Sequence, residues 1–255
     1  MIILILFFLL VILVFLVRYN FFRLPKKGVL VLLYHRIDDK PVGTDLDKFS
    51  ISLKTFEKQV ERLKKKGYMS AHPGNIDEII EKKLYLKNRY VMFTFDDGYK
   101  DNVQAAEVLK KYGYKGLFFI STAHIGKELD GVEMLNFSDL KRLSDMGMYL
   151  GCHSHRHINL LKLDLNEAKA ELLKSLDILS QYQQKIEDFA YPFGGYGDQI
   201  VDLINSLGFK RAYIIGQKIY DPEIHSKLKI PRAIVRKDLN DIDFYLIITR
   251  GRARF

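Results

Sequence analysis

Val91-Met92-Phe93-Thr94-Phe95-Asp96-Asp97-Gly98 is an apolar run that ends in two adjacent carboxylates and a glycine. A strand that buries its apolar residues delivers polar side chains at its exit, where barrels and open α/β sheets build their sites. Neighbouring strand residues point opposite ways, so two consecutive aspartates can do two jobs, one holding a metal and the other handling a proton. Working outward, apolar runs at 28–35, 90–97, 115–121, 148–154, 188–193, 211–216 and 229–235 read as seven strands. Helical patterns lie between most of them. Phe56, Val60 and Leu63 recur at helical spacing before Gly67, and Ala168, Leu172, Leu176 and Leu179 form the stripe of a longer helix. Ser138 is the expected cap of a helix carrying Leu140 and Leu143, and Asp198 that of a helix bearing Val201, Ile204 and Leu207. Alternating strands and helices imply a mostly parallel sheet. Seven such units point to an incomplete or distorted α/β barrel.

His153-Ser154-His155-Arg156-His157 follows a second apolar run, Met148 to Cys152. Imidazoles bind zinc and similar divalent ions, and two histidines with one carboxylate leave positions for water and substrate. Spacing permits His153 with His157 on a helical face, or His153 with His155 on a strand face. Turn chemistry alone also favours Asp-Gly. The gathering of three of the seven histidines within five residues gives the carboxylate pair its meaning.

These segments resemble the NodB-like polysaccharide deacetylases, carbohydrate esterase family four. Thr94-Phe95-Asp96-Asp97-Gly98 looks like the family's first motif, which implies Asp96 as catalytic base and Asp97 as metal ligand. His153 to His157 looks like the second motif, whose outer histidines bind the metal, so the resemblance selects His153 and His157 and leaves His155 a linking role. The third motif reads Ala190-Tyr191-Pro192-Phe193-Gly194, with alanine where an arginine that orients the base is expected. The retained Pro-aromatic pair implies that the Phe193 backbone N–H helps bind the oxyanion. Arg232 is the expected substitute for the missing guanidinium. No late Leu-x-His motif is visible, and the late His225 sits in a charged loop, Asp221 to Lys229. His35 instead ends the run that begins at Val29, as in the subgroup related to poly-N-acetylglucosamine deacetylases, and is expected to be the general acid. The resemblance runs from about Val29 to Val235 and implies a NodB-like, distorted (β/α)7 barrel. His35, Asp96, Asp97, His153 and Pro192 all fall at the C-terminal ends of expected strands, as active-site residues of barrels do.

At 255 residues the chain can form one α/β barrel with a full core, or two small domains. The single cysteine, Cys152, excludes an intramolecular disulfide, and strand alternation points it away from the histidines as a small buried hydrophobe. The net charge of +9 suits an acidic polymer or anionic head groups. No nucleic-acid motif accompanies it, and nucleic acid is not an expected partner. Oligomeric state is not legible.

Residues 1–17 carry no charge and are almost entirely Leu, Ile, Val and Phe. They read as a transmembrane anchor, followed by a basic juxtamembrane segment at 18–27 and the catalytic domain at 28–255. No basic n-region precedes the span and no Ala-x-Ala-like exit follows, which argues against a cleaved signal peptide. Arg18, Arg23, Lys26 and Lys27 follow it, which favours a cytoplasmic catalytic domain by the positive-inside rule. Most enzymes of the resembling family work outside the cytoplasm, so the side of the membrane stays open.

The reading is therefore a metal-dependent hydrolase that removes N-acetyl groups from amino sugars of a glycan. Asp97, His153 and His157 are its expected ligands. Zinc is the expected ion, and cobalt, nickel and iron also suit the set. Two other readings are a deacylase of a lipid-linked sugar and a catalytically idle glycan-binding module.

Overall fold

All seven expected strands form, because each packs apolar residues on both faces. The computed structural model describes residues 2–18 and 25–253. In chain order its strands are β1 (Val29–Tyr34), β2 (Tyr68–Ser70), β3 (Arg89–Phe95), β4 (Gly116–Ile120), β5 (Glu128–Leu129), β6 (Val132–Glu133), β7 (Tyr149–Cys152), β8 (Asp188–Ala190), β9 (Arg211–Ile215) and β10 (Ile230–Ile234). Its helices are α1 (Ile2–Arg18), α2 (Leu53–Lys65), α3 (Ile76–Glu81), α4 (Asn102–Lys111), α5 (Phe137–Asp145), α6 (Leu165–Leu179), α7 (Asp198–Ser206) and α8 (Asp241–Arg250).

The parallel order β1-β10-β9-β8-β7-β4-β3 returns on itself because β1 pairs with β3 as well as with β10. The barrel is thus closed, which corrects the expectation of an incomplete one. Its thinnest seam joins β7 to β8 through the one aligned pair Cys152–Phe189. Sequence reading missed β2, which aligns with Arg89 to Val91 of β3 before β4 takes over at Phe93. It also missed the β5–β6 hairpin. Both are too short to carry a periodic signal and exist only through their partners.

Strand alternation divides the core into two layers. Val29, Val31, Tyr90, Met92, Leu117, Phe119, Ala190 and Tyr213 belong to the cluster that fills the barrel. Their neighbours Leu30, Leu32, Val91, Phe93, Phe118, Leu150 and Phe189 belong to the cluster beneath the helices. Cys152 falls in that outer layer, buried, with its thiol 3.3 Å from Ser175 Oγ of α6, as expected. Gly151 is inward, where an added Cβ would lie 2.5 Å from the Phe119 ring.

Two helix caps differ from expectation. Asn136, not Ser138, caps α5, because Asp139 stands at the spacing that returns its carboxylate to the Asn136 N–H at 3.0 Å. Gly197 caps α7, and Asp198 is its first helical residue, where a negative charge complements the helix dipole.

The expected transmembrane anchor at 1–17 is not supported. None of the residues of α1 is buried, so it is not a core helix either. Its 17 residues span about 26 Å against a hydrocarbon core of about 30 Å. No helix among the described residues is long and apolar enough to cross a membrane. Most of the expected juxtamembrane segment, including Arg23, lies outside the described residues.

Gly151→Ala should lower stability by about 1–3 kcal/mol, since the new methyl meets Phe119 and the backbone of β8 inside a filled barrel. Chemical denaturation measures this, and an unchanged midpoint would contradict the packing described here.

Candidate active site

At the C-terminal mouth of the barrel, His35, Phe49, Asp96, Asp97, Tyr99, His153, His157 and Phe193 line one cleft of about 460 Å³. The strand exits explain this convergence. Asp96 continues the inward series Tyr90, Met92 and Thr94 of β3. Asp97 would face outward in an extended chain, but the backbone turns left-handed there (φ 74°) and again at Gly98 (φ 91°). Two successive aspartates thereby reach the same cleft. His157 (φ 55°), Ser154 (φ 60°) and Phe193 (φ 58°) are also left-handed. Such conformations cost non-glycine residues of order 1–3 kcal/mol each and cluster where a surrounding structure imposes them.

Arg232 of β10 decides the state of Asp96. Its guanidinium is fully buried and donates to both carboxylate oxygens, at 2.6 Å and 2.7 Å. It also donates to Thr94 Oγ1 at 3.3 Å, and its plane lies over the Phe119 ring at 5.4 Å. Thr94 in turn donates to the Leu32 carbonyl at 2.8 Å, tying this pair to β1. Burial alone would push the Asp96 carboxyl up, but Arg232, His153 and His35 outweigh it and hold it below the usual carboxylate range. The guanidinium absent at Ala190 therefore arrives from another strand.

Asp97, His153 and His157 offer one ligand atom each, all within 4.8 Å of one another. Asp97 Oδ1 lies 3.4 Å from His153 Nε2 and 3.2 Å from His157 Nε2. These separations match the edge of a tetrahedron with bonds near 2.1 Å, about 3.4 Å, so the donor set fits zinc or a similar divalent ion. His153 Nδ1 lies 2.8 Å from the Ala190 carbonyl, which fixes the ring with Nε2 toward the trio. Burial would raise the Asp97 carboxyl, but the His153 hydrogen bond and the His35 and His157 charges hold it far below the usual range. Burial and His153 push His157 down to about 4, leaving a neutral imidazole with a free lone pair. Burial would likewise lower His153, yet Asp96 and Asp97 raise it.

His35 follows β1 and packs against the Phe49 ring at 5.1 Å, with its Nδ1 buried and without a hydrogen-bond partner. Burial pushes its imidazole down, opposed by Asp97 and Asp96. The backbone that leaves it is clamped by the start of α4. Asn102 Nδ2 donates to the His35 carbonyl at 2.8 Å, and Asp101 accepts the Ile37 N–H at 2.9 Å. Sequence reading missed Thr94, Tyr99, Asp101, Asn102 and the Ala190 carbonyl. Only the Asp101-Asn102 pair carried a signal, as a polar dipeptide at a helix start. His155 bonds Thr122 through Nδ1 at 2.9 Å and stays out of the trio. The His225 ring accepts the Asp221 N–H at 3.0 Å in its own loop, and His225 does not line the cleft.

The polysaccharide deacetylase family profile matches residues 83–212, just over half of the chain. The chain belongs to the polysaccharide deacetylase family. It is 28% identical over 182 residues to the YxkH protein of Bacillus subtilis (strain 168), covering 71% of this chain and 62% of that protein. It is 25% identical over 243 residues to a poly-β-1,6-N-acetyl-D-glucosamine N-deacetylase of Staphylococcus aureus (strain MSSA476), covering 85% of this chain and 81% of that one. The crystal structure of a polysaccharide deacetylase from Bacillus cereus superposes with a TM-score of 0.73 at 25% identity, over 88% of this chain and 69% of that one. None of these relatives is named for a lipid-linked substrate, and that reading is not supported. The idle-module reading drew on Ala190 and on the absent late histidine, and the Arg232–Asp96 pair answers the first.

Two outcomes follow from this geometry. Asp97→Ala, His153→Ala and His157→Ala should each lose bound divalent metal by elemental analysis while remaining folded, and full occupancy in all three would refute the ligand set. Arg232→Met should strand a buried carboxylate and cost about 3–5 kcal/mol at neutral pH. Because the folded Asp96 pKa is depressed, this contribution exists above the ordinary Asp value and fades as pH falls through the folded one. Denaturation near pH 7 and near pH 3 should show a larger penalty at the higher pH, and equal penalties would contradict the pairing.

Proposed function

We propose that this deacetylase hydrolyses the N-acetyl groups of a polymer of N-acetylglucosamine. The observation that carries the reading is a carboxylate pinned by a buried arginine beside a separate Asp-His-His trio in one cleft. A pure binding site has no use for a base and a ligand set together. The Staphylococcus aureus relative, named for poly-β-1,6-N-acetyl-D-glucosamine, supports the substrate class.

Amide carbonyls are poor electrophiles, so hydrolysis needs an activated carbonyl, an activated water and a protonated leaving amine. Asp97, His153 and His157 would hold a divalent ion, zinc by preference, which would supply Lewis-acid polarisation and a more acidic water. Asp96 takes the proton from the attacking water, and Arg232 keeps its carboxylate ionised and fixed in one orientation. The Phe193 backbone N–H donates to the oxygen on which charge develops. Phe193 itself is 66% exposed and packs on the His157 ring at 4.6 Å, which presents an aromatic face to an incoming sugar. His35 gives its proton to the amine nitrogen as the C–N bond breaks, releasing acetate and a free amino sugar. The Asn102 and Asp101 clamps hold the His35 backbone for that transfer.

Acetate release from β-1,6-linked N-acetylglucosamine oligomers, with and without chelator, tests the assignment. Release that chelation abolishes is expected, and no release by metal-loaded protein from any N-acetylated glycan would refute it. His35→Ala should retain metal but slow amide hydrolysis by roughly 10²–10⁴-fold, with a smaller loss on an activated acetyl ester, whose leaving group needs no proton. Equal losses on both substrates would make His35 structural, and the acid's signature in His225→Ala instead would reassign the role.

A further inference from the structure

The opposite, N-terminal end of the barrel carries a second cleft, of about 430 Å³, between the entries to β1, β2 and β3. Lys26, Lys27, Lys66, Lys87 and Arg89 line it, and no carboxylate does. Some lysines elsewhere on the surface are matched with acids, as in Lys65–Glu61, Lys82–Glu78, Lys111–Glu57 and Lys141–Asp145. Among the described residues none of the five cleft cations has such a partner. Lys66 instead lies over the Tyr245 ring at 5.4 Å, and Arg89 spends one donor on the Lys66 carbonyl at 3.3 Å while its plane stands 6.0 Å from the Tyr68 ring. These contacts position Lys66 and Arg89 without neutralising them. Like charges gathered around a concave, low-dielectric wall focus a positive potential that an anion relieves.

We infer that this cleft is a binding site for a phosphate-bearing anion, separate from the deacetylase centre. Its size admits a phosphodiester or pyrophosphate group rather than a folded partner. Phosphate is favoured over carboxylate by the number of donors, because a phosphate group can accept from several lysines at once while Arg89 bonds two of its oxygens. The same chemistry is offered by a soluble phosphate compound and by the head group of an anionic lipid. The cleft is remote from Asp96 and Asp97, so it would place the protein rather than take part in the chemistry.

Titration of the full chain with inorganic pyrophosphate at low salt tests the site. Saturable, salt-sensitive binding is expected, and the combined variant Lys27→Ala, Lys66→Ala, Lys87→Ala should weaken it at least about tenfold. The charge-matched variant Lys54→Ala, Lys58→Ala, Lys169→Ala should bind as the unaltered chain does. All six side chains are exposed, and both variants should keep their melting temperature and acetate release. Equal weakening in the two variants, or binding that never saturates, would overturn the site. Sedimentation with phosphatidylglycerol and phosphatidylcholine vesicles then separates the sources. A cleft variant that loses its preference for phosphatidylglycerol assigns the site to a lipid head group, and one that keeps it while losing pyrophosphate assigns it to a soluble phosphate.

Discussion

The buried pair between Arg232 and Asp96 is the constraint on which the site depends. An ionised carboxylate cannot rest inside a barrel unpaired, and a lone guanidinium there would be equally costly. Each makes the other tolerable, and the bidentate geometry leaves Asp96 one orientation. Thr94 and the Leu32 carbonyl extend the pair to β1, so three strands that are distant in sequence meet at one point. Closure of the barrel makes this possible, because β10 and β3 both flank β1. An open sheet would leave Arg232 and Asp96 on opposite edges.

Around that point the two aspartates divide their work by backbone geometry. Alternation sends Asp96 inward to the arginine, whereas the left-handed turn at Asp97 brings its carboxylate across the mouth to the two histidines. His153 belongs to the inward series with Gly151, and the small residue before it lets Phe119 fill the barrel beneath the site. Phe119 also carries the face of the Arg232 guanidinium. Core packing and the electrostatics of the site are thus one arrangement, and the Ala190 position shows its economy. A small side chain there leaves the barrel interior to Phe119 and Tyr213, while its carbonyl orients His153.

The seven barrel strands were legible because residues such as Val29 to Tyr34 are buried on both faces and read as unbroken apolar runs. The three-residue β2 and the two-residue strands of the hairpin were not, since pairing alone defines them. Asp96, Asp97, His153 and His157 were legible from residue type and position at strand ends. What made them a site was less so. The reach of Asp97 depends on a positive φ that its sequence only hints at through Gly98. Thr94 and Asn102 act on the backbone carbonyls of Leu32 and His35, and Ala190 through its own, groups that every residue possesses and no motif records. The apolar residues of α1 suggested a membrane span, but the 17 described residues of the helix cover about 26 Å, one turn or so short of the thickness such a span requires.

The central claim is that base and ligand functions are separate at adjacent residues. Asp96→Asn tests it most directly, with metal content and acetate release measured on the same sample. The account predicts full metal occupancy with turnover lowered by roughly 10²–10⁴-fold, the scale of a lost acid–base group. Loss of the metal would make Asp96 a ligand, and full metal with near-normal turnover would mean that Asp96 is not the base.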